Sequence, residues 1–323
     1  FRIVTLPKKT MFGIIKVRVI YSFIVISFLA NTSCKSETSE TSDLIGKVEI
    51  TTEVIKPKVV LSKEFNDFWY NGEAEITTYK LEQARYGEIR DGKAVLVFVT
   101  EDFLPEIQVK ADNYKASNIS VLKLNATKNF NTGIYPYSIM QSTFYPVSNN
   151  KHALKVSSSM QEWCGHVYMQ LNNKDDFEVV SHSYFQGEAD QNIKLKKAIT
   201  ENELWTQLRI DPKSLPTGEI QVIPSLEYIH LRHKNIKAYN ANATMQDGKY
   251  VLSYPDLNRI LSIKFSSNFP YQILGWEESI TSGFGAKSKT MTTKATMLES
   301  IKSAYWSKNS NADETLRERL KLQ

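Results

Sequence analysis

The chain contains only two cysteines, Cys34 and Cys164, in 323 residues. A network of disulfide bonds is therefore excluded, and the fold must depend on its apolar core. Motifs of several enzyme classes are also missing, namely the HExxH zinc motif, the GxSxG nucleophile motif and a P-loop ending in Lys-Ser or Lys-Thr. The remaining composition, with 41% hydrophobic and 23% charged residues, is that of a globular protein rather than a disordered or collagen-like one.

The chain has little excess charge outside its first 33 residues. Its formal net charge is +5 at pH 7, but residues 1–33 contain five basic residues and no acidic one. The rest of the chain carries 35 residues of each sign. Because a neutral domain has no net field to attract a polyanion, we expect no nucleic-acid partner.

The N-terminal segment has the order of a secretory signal. We interpret the residues before Met11 as upstream sequence outside the fold. Basic residues Lys16 and Arg18 are followed by a mostly apolar run at residues 19–30. As a helix this run would rise about 18 Å, which is less than the roughly 30 Å of a bilayer hydrocarbon core. The pattern therefore predicts a signal peptide rather than a membrane-spanning helix.

A cysteine follows the apolar run, and Ser33-Cys34 resembles the end of a bacterial lipoprotein signal. In that family the thiol is diacylated and becomes the mature N-terminus, so the resemblance implies lipidation of Cys34; ordinary signal-peptidase cleavage nearby is the alternative. Lys35 resembles an outer-membrane sorting residue, and Glu37 and Glu40 resemble the surface-export residues of Bacteroidetes-type lipoproteins. The expected location is the outer membrane, facing the periplasm or the cell surface.

The composition divides the chain into three parts. Residues 1–33 comprise the upstream segment and the signal peptide. Residues 34–57 begin with the lipidated Cys34 and continue as a polar, low-complexity tether that contains KSETSETSD. Residues 58–323 form a single β-rich domain, with two β subdomains that divide near residues 200–220 as the alternative.

Strand and turn patterns dominate the body of the chain. Asp91-Gly92 and Asp247-Gly248 each lie between apolar runs and predict β-hairpin turns. Strict alternation around these turns predicts antiparallel strands with one apolar face. The clearest case places Leu261, Ile263 and Phe265 on one face and Ser262, Lys264 and Ser266 on the other.

Helix signals are few. Thr200 and Glu203 form a capping-box pattern before a short apolar stripe, and a second helix is predicted from about Asn311. The expected fold class is mainly β and antiparallel, with two or three short helices. Two architectures remain open, a curved, half-barrel-like sheet that wraps a helix and a β-sandwich.

The segment from Trp163 to Gln186 contains the candidate reactive side chains. A hairpin register in which paired residue numbers sum to 348 aligns His166 with His182 and places Cys164 on the same face. Cys164, His166 and His182 would then form a zinc-ligand set or a thiol–imidazole nucleophile pair. The alternative interpretation is an ordinary polar face of a half-exposed sheet, with no metal, no cofactor and no catalytic residue.

Two further groups of residues give weaker indications of a functional site. His230 and His233 have a spacing that binds metals on a helix, but surface histidines satisfied by hydrogen bonds are the simpler interpretation. Aromatic residues are concentrated in the first half of the chain, where rings on a β surface stack on sugars or line an apolar groove. The main groups are Phe68-Trp69-Tyr70, Tyr135-Pro136-Tyr137 and Tyr145-Pro146.

Three stretches together support a resemblance to a known family. They are FWYNGEAEITTYKLEQARYGEIRDGKAVLVFVTEDF (68–103), QEWCGHVYMQLNN (161–173) and SYFQGEADQNIKL (183–195). They resemble a family of flavobacterial secreted or lipid-anchored proteins of unknown activity, over about residues 65–322. Some members carry the name "septum formation inhibitor Maf". True Maf proteins are small α/β nucleotide pyrophosphatases with an SxSPR-like loop, and no Ser-Pro-Arg occurs here, so no catalytic residue is carried over.

The sequence therefore leads to two functional hypotheses. The first is a non-enzymatic, outer-membrane-anchored lipoprotein that binds an apolar ligand, a glycan or another envelope protein. The alternative is a periplasmic or surface hydrolase that uses a Cys164/His site, with or without a metal.

Overall fold

The computed structural model describes residues 61–148, 151–283 and 285–322. The predicted signal, Cys34 and most of the tether lie outside these residues. Sixteen strands are present in the described part of the chain: β1 (Ala74–Arg85), β2 (Glu88–Leu104), β3 (Val109–Lys110), β4 (Ile119–Thr132), β5 (Tyr135–Pro146), β6 (Lys155–Glu162), β7 (Gly165–Asn173), β8 (Phe177–His182), β9 (Gln191–Leu195), β10 (Ile199–Thr200), β11 (Gly218–Ile223), β12 (Tyr239–Gln246), β13 (Lys249–Tyr254), β14 (Arg259–Phe265), β15 (Ile273–Ser282) and β16 (Lys289–Ser303).

Four short α-helices accompany these strands in the described residues: α1 (Lys63–Trp69), α2 (Glu201–Ile210), α3 (Leu226–Leu231) and α4 (Thr315–Arg319). None of them has the length and apolar character needed to span a bilayer. The fold is mainly β, as the alternating sequence pattern predicted.

All sixteen strands belong to one sheet. The chain enters at its middle with β1, continues outward through β2 and β4 to β9, and resumes at the opposite edge with β10. It then returns through β11 to β16, which pairs with β1. Within the described residues the pairs are antiparallel except that of β10 with β11, and β9 and β10 each pair on one side only, so the sheet is open. The architecture is therefore a single curved sheet rather than a sandwich of two sheets.

One continuous core fills the concave face of this sheet. Leu81 of β1, Phe98 of β2 and Leu252 of β13 belong to it and are fully buried, together with Leu208 of α2 and Ile229 of α3. Because strands from both halves share this core with two helices, the sheet must curve around α2 and α3.

Helix α2 is fixed at its C-terminal end by a buried ion pair. Arg209 donates from Nη1 to Glu75 Oε1 at 2.6 Å and from Nη2 to Glu75 Oε2 at 2.8 Å. The guanidinium also lies 5.0 Å from the ring centre of Trp69 and 4.6 Å from that of Phe98. This contact holds α2 against the inner face of β1.

A smaller second core lies on the outer face of β1, β2 and β16. It contains Ile76, Val99 and Ile301, and Leu320 from the C-terminal segment packs on them. Thr78 Oγ1 also donates to the carbonyl oxygen of Leu320 at 2.8 Å. The predicted C-terminal helix thus begins with a 3₁₀ turn, Asn311–Glu314, continues as α4 and covers the middle of the sheet.

The two predicted hairpin turns have different outcomes. Asp247-Gly248 connects β12 to β13 with positive φ at both residues, as predicted. The prediction for Asp91-Gly92 was wrong, because β2 continues through these residues and the turn falls at Tyr86-Gly87 instead. Gly92 serves close strand packing: a Cβ there would lie 2.4 Å from the carbonyl oxygen of Asn129.

The predicted cap of α2 is confirmed in part. Thr200 is the N-cap, and its hydroxyl accepts the N–H of Glu203 at 3.2 Å. The carboxylate of Glu203 does not return to the cap backbone as a capping box requires. It accepts the N–H of Ala153 at 2.9 Å and contacts His152 Nδ1 at 3.0 Å, so it joins the helix to the β5–β6 connection.

Candidate functional site

Helices α2 and α3 enclose a cavity against the concave face of the sheet, with a free volume of about 70 Å³. A single water needs about 10–15 Å³ of space for its centre, so the cavity admits a few waters or one small solute. Its walls combine apolar and polar groups. The main ones are Gln83, Arg85, Leu124, Ala126, Lys128, Gln141, Asn202, Trp205, Glu227, Arg259, Leu261, Trp276, Glu278 and Ile280.

Arg259 is the centre of the charged side of the cavity. Its Nη2 donates to Glu201 Oε1 at 2.8 Å, its Nη1 donates to Glu201 Oε2, and its Nε donates to Glu278 Oε1 at 2.6 Å. The guanidinium lies 4.2 Å from the ring centre of Tyr228 and 5.1 Å from that of Tyr254. Two carboxylates and two rings therefore fix one buried cation and join β14, β15, α2 and α3.

A second polar chain connects the other wall to the helices. Lys128 Nζ contacts Glu227 Oε1 at 2.7 Å, and Gln141 Nε2 donates to Glu227 Oε2 at 3.0 Å. Asn202 Nδ2 in turn donates to Gln141 Oε1 at 3.0 Å. These hydrogen bonds fix α2 and α3 against β4 and β5, so the cavity is already formed before any ligand binds.

Two tryptophan rings form the apolar wall. Trp205 of α2 meets Trp276 of β15 edge to face, with ring centres 5.3 Å apart. Trp276 also packs against Tyr79, with ring centres 4.9 Å apart. Lys128 Nζ lies 6.0 Å from the centre of the Trp276 ring. Flat aromatic surface and hydrogen-bonding side chains therefore face the same space.

Two buried polar atoms in the cavity wall have no hydrogen-bond partner within the described residues. They are Gln83 Oε1, an acceptor, and Arg85 Nε, a donor. The rest of Arg85 is engaged, since Nη1 donates to the carbonyl oxygen of Leu231 at 3.0 Å and Nη2 donates to Tyr137 at 3.1 Å. An unpaired buried polar atom costs about 1–3 kcal/mol, so two residues of the cavity wall each carry an unsatisfied polar group.

The network also shifts the ionisation of its members. Burial alone would raise the pKa of Glu278, but the charges of Arg259 and Lys128 outweigh it and hold that pKa below its ordinary value. Burial raises the pKa of Tyr228 to about 12, against the opposing charge of Arg259. Glu278 is therefore an anion and Tyr228 a neutral phenol at neutral pH.

The predicted candidates Cys164, His166 and His182 do not face one another in the predicted way. The β7–β8 register pairs Tyr168 with His182, so paired numbers sum to 350, and the predicted register was wrong by two residues. His166 pairs with Gln161 of β6 and lies diagonally from His182. Within the described residues, no group of three or more His, Cys, Asp or Glu side chains is arranged to hold a metal ion.

Cys164 lies in the two-residue turn between β6 and β7, where it is exposed. Its backbone N–H donates to Glu162 Oε2 at 2.8 Å. A hydrogen bond from the thiol to this carboxylate, together with its negative charge, raises the pKa of Cys164. The surroundings therefore disfavour a thiolate.

The charged residues of the cavity have a recognisable pattern in the sequence. Arg259 shares its strand face with Leu261 and Ile263, and Lys128 shares its face with Leu124 and Ala126. A charged residue in phase with an apolar strand face indicates a buried ion pair or a lined cavity.

The fold and this site define a class: an open, mainly antiparallel β protein whose sheet and two helices enclose a preformed polar cavity. No family model and no curated protein matches the chain. Among solved structures, a beta-barrel-like protein of a domain of unknown function from Brucella abortus is similar over 71% of this chain and 98% of its own, at 8% identity and a TM-score of 0.36. A porin-like protein from Bacteroides uniformis is similar over 69% and 96%, at 7% identity and a TM-score of 0.24. These likenesses carry no argument about function.

Proposed function

We propose that the protein is a non-enzymatic binding lipoprotein of the outer membrane whose cavity holds a small hydroxylated ligand, a sugar unit of a glycan. The observation that carries this proposal is the combination of the Trp205–Trp276 wall with the unpaired atoms Gln83 Oε1 and Arg85 Nε. Sugar hydroxyls both donate and accept hydrogen bonds, so they suit a wall that contains an unsatisfied acceptor and an unsatisfied donor. The C–H face of a sugar ring packs on aromatic side chains.

The arrangement of charge supports binding rather than hydrolysis. Glycosidases need one carboxylic acid that is protonated and one that is free to act as base or nucleophile. Here Glu201 and Glu278 both bind Arg259, and Glu227 binds Lys128. Each carboxylate is therefore engaged by a cation and oriented as a fixed part of the wall.

Tryptophan fluorescence and calorimetry with a panel of monosaccharides test the cavity. A ligand that binds beside Trp205 should change the emission of the wild-type protein, and Trp205→Ala should remove most of the affinity. The matched control is Trp306→Ala, because Trp306 is 52% exposed and does not line the cavity. Absence of binding to any sugar at millimolar concentration would overturn the assignment of the ligand.

The membrane anchor is a separate part of the proposal and rests on the sequence around Cys34. Metabolic labelling with palmitate in a Gram-negative host should mark the wild-type chain and not Cys34→Ala. The variant should also move from the membrane fraction to the soluble fraction. Equal labelling of the two chains would contradict an anchor at Cys34 and leave the cavity proposal intact.

A further inference from the structure

The opposite side of α3 forms a second site. Whereas Glu227 and Tyr228 of this helix face the cavity, Ile229 and His230 line a groove of about 500 Å³ against the inner face of β7, β8 and β9. This volume falls within the range of about 300–1,000 Å³ that is usual for small-molecule sites. Helix α3 therefore separates the cavity from the groove on the concave face of the sheet.

The long wall of the groove is apolar. Met169, Ile229 and Ile236 are buried in it, and Phe185 and Ile193 complete it. Ile193 belongs to β9, which pairs only with β8 among the described strands and forms the edge of the sheet. Because the apolar wall reaches the open edge of the sheet, a flexible acyl chain can enter the groove from that side.

One end of the groove is polar. The carboxylate of Glu188 accepts the hydroxyl of Ser183 at 2.7 Å, lies 2.5 Å from His233 Nδ1, and lies 3.4 Å from His230 Nδ1. His230 is only 9% exposed, and its Nδ1 makes no hydrogen bond within the described residues. Glu188 therefore approaches this buried ring nitrogen without forming a short hydrogen bond to it, and the Glu188 carboxylate is the main polar group at this end of the groove.

We propose that this groove binds a single-chain lipid with an uncharged, hydroxylated head, of the monoacylglycerol class. The apolar wall takes the acyl chain, and the hydroxyl groups bind the Glu188 carboxylate at the polar end. This site does not depend on the sugar-binding function of the cavity, because the two share no lining residue.

The charges at the polar end select the head group. Glu188 carries a negative charge there, and Lys234 also lines the groove. Burial lowers the pKa of His230, although Glu188 opposes this effect, so its ring is neutral at pH 8. A fatty-acid carboxylate at this end would be repelled by the like charge of Glu188, whereas a hydroxyl group would donate a hydrogen bond to it.

Calorimetry with the purified full-length protein at pH 8 tests the site, with monolaurin and laurate as probes. Wild-type protein should bind monolaurin about tenfold more tightly than laurate, which corresponds to about 1.4 kcal/mol. Ile193→Trp should fill the groove and remove monolaurin binding. Asn192→Trp is the matched control, because Asn192 lies on the exposed face of the same strand, and it should bind like wild type.

A second variant keeps the test decisive if the larger side chain disturbs folding. Glu188→Gln removes the negative charge, and it should reduce or reverse the preference for monolaurin over laurate. The proposal is overturned if wild-type protein binds neither probe, if Asn192→Trp loses as much binding as Ile193→Trp, or if the head-group preference is the same in Glu188→Gln.

Discussion

Arg259 and Glu201 lie 58 residues apart in the chain, yet they form a two-pronged ion pair in which each side chain is only 2% exposed. Glu201 is the first residue of α2, and Arg259 is the first residue of β14. The pair therefore fixes the start of the central helix to the wall of the cavity. At the other end of α2, the ion pair between Arg209 and Glu75 fixes the helix to β1.

Removal of Arg259 should be among the most destabilising single changes in the domain. Arg259→Met leaves Glu201 and Glu278 buried without their cation, and we expect a loss of about 3–5 kcal/mol in the free energy of unfolding. Denaturant titration measures it. The control is Lys63→Ala, which removes a pair with Asp67 whose side chains are 88% and 63% exposed, and it should cost less than about 1 kcal/mol.

The same network predicts how stability depends on pH. Because the pKa of Glu278 is lower in the folded protein than its ordinary value of 4.5, the carboxylate contributes stability that is fully present above that value. This contribution is lost as pH falls from 4.5 through the lowered pKa. Denaturant titrations between neutral and acidic pH should show a steeper loss for wild type than for Glu278→Gln. Parallel curves for the two proteins would contradict this assignment.

The sequence was sufficient for the fold class and for some local structure. The alternation around Leu261, the turn at Asp247-Gly248 and the cap at Thr200 all depend on neighbouring residues, and all are present. Asp91-Gly92 has the composition of a turn but lies within β2, because its strand pairs on both sides and Gly92 permits close packing. Local turn propensity was overridden there by the sheet.

The sites were less predictable because their members are distant in sequence. Lys128, Gln141 and Glu227 meet only once the sheet has curved and α3 has packed inside it. The predicted alignment of His166 with His182 was wrong for a different reason. A shift of two residues keeps every side chain on the same face of the sheet, so the apolar pattern does not distinguish a register sum of 348 from one of 350.

Cross-linking distinguishes these two registers directly. In a Cys164→Ser background, Tyr168→Cys with His182→Cys places two thiols at paired positions, where Cβ atoms are about 4.5–5.5 Å apart. This pair should oxidise more readily than the control pair, because its separation is much nearer the roughly 3.5–4.5 Å between Cβ atoms in a disulfide. His166→Cys with His182→Cys is the control; its diagonal separation of about 7–8 Å should prevent the bond. Preferential oxidation of the control pair would instead support the register derived from the sequence.

The reactivity of Cys164 tests the hydrolase alternative. A catalytic thiol is alkylated quickly because its pKa is low, whereas the hydrogen bond and charge of Glu162 raise the pKa of Cys164. Since only the thiolate reacts, iodoacetamide should modify the exposed Cys164 slowly at pH 8, and the rate should rise through a midpoint above 9.0. Glu162→Gln should lower that midpoint and speed the reaction at pH 8. Glu178→Gln, on the neighbouring hairpin, should leave the rate unchanged. Fast alkylation of the wild-type protein near neutral pH would restore Cys164 as a candidate nucleophile.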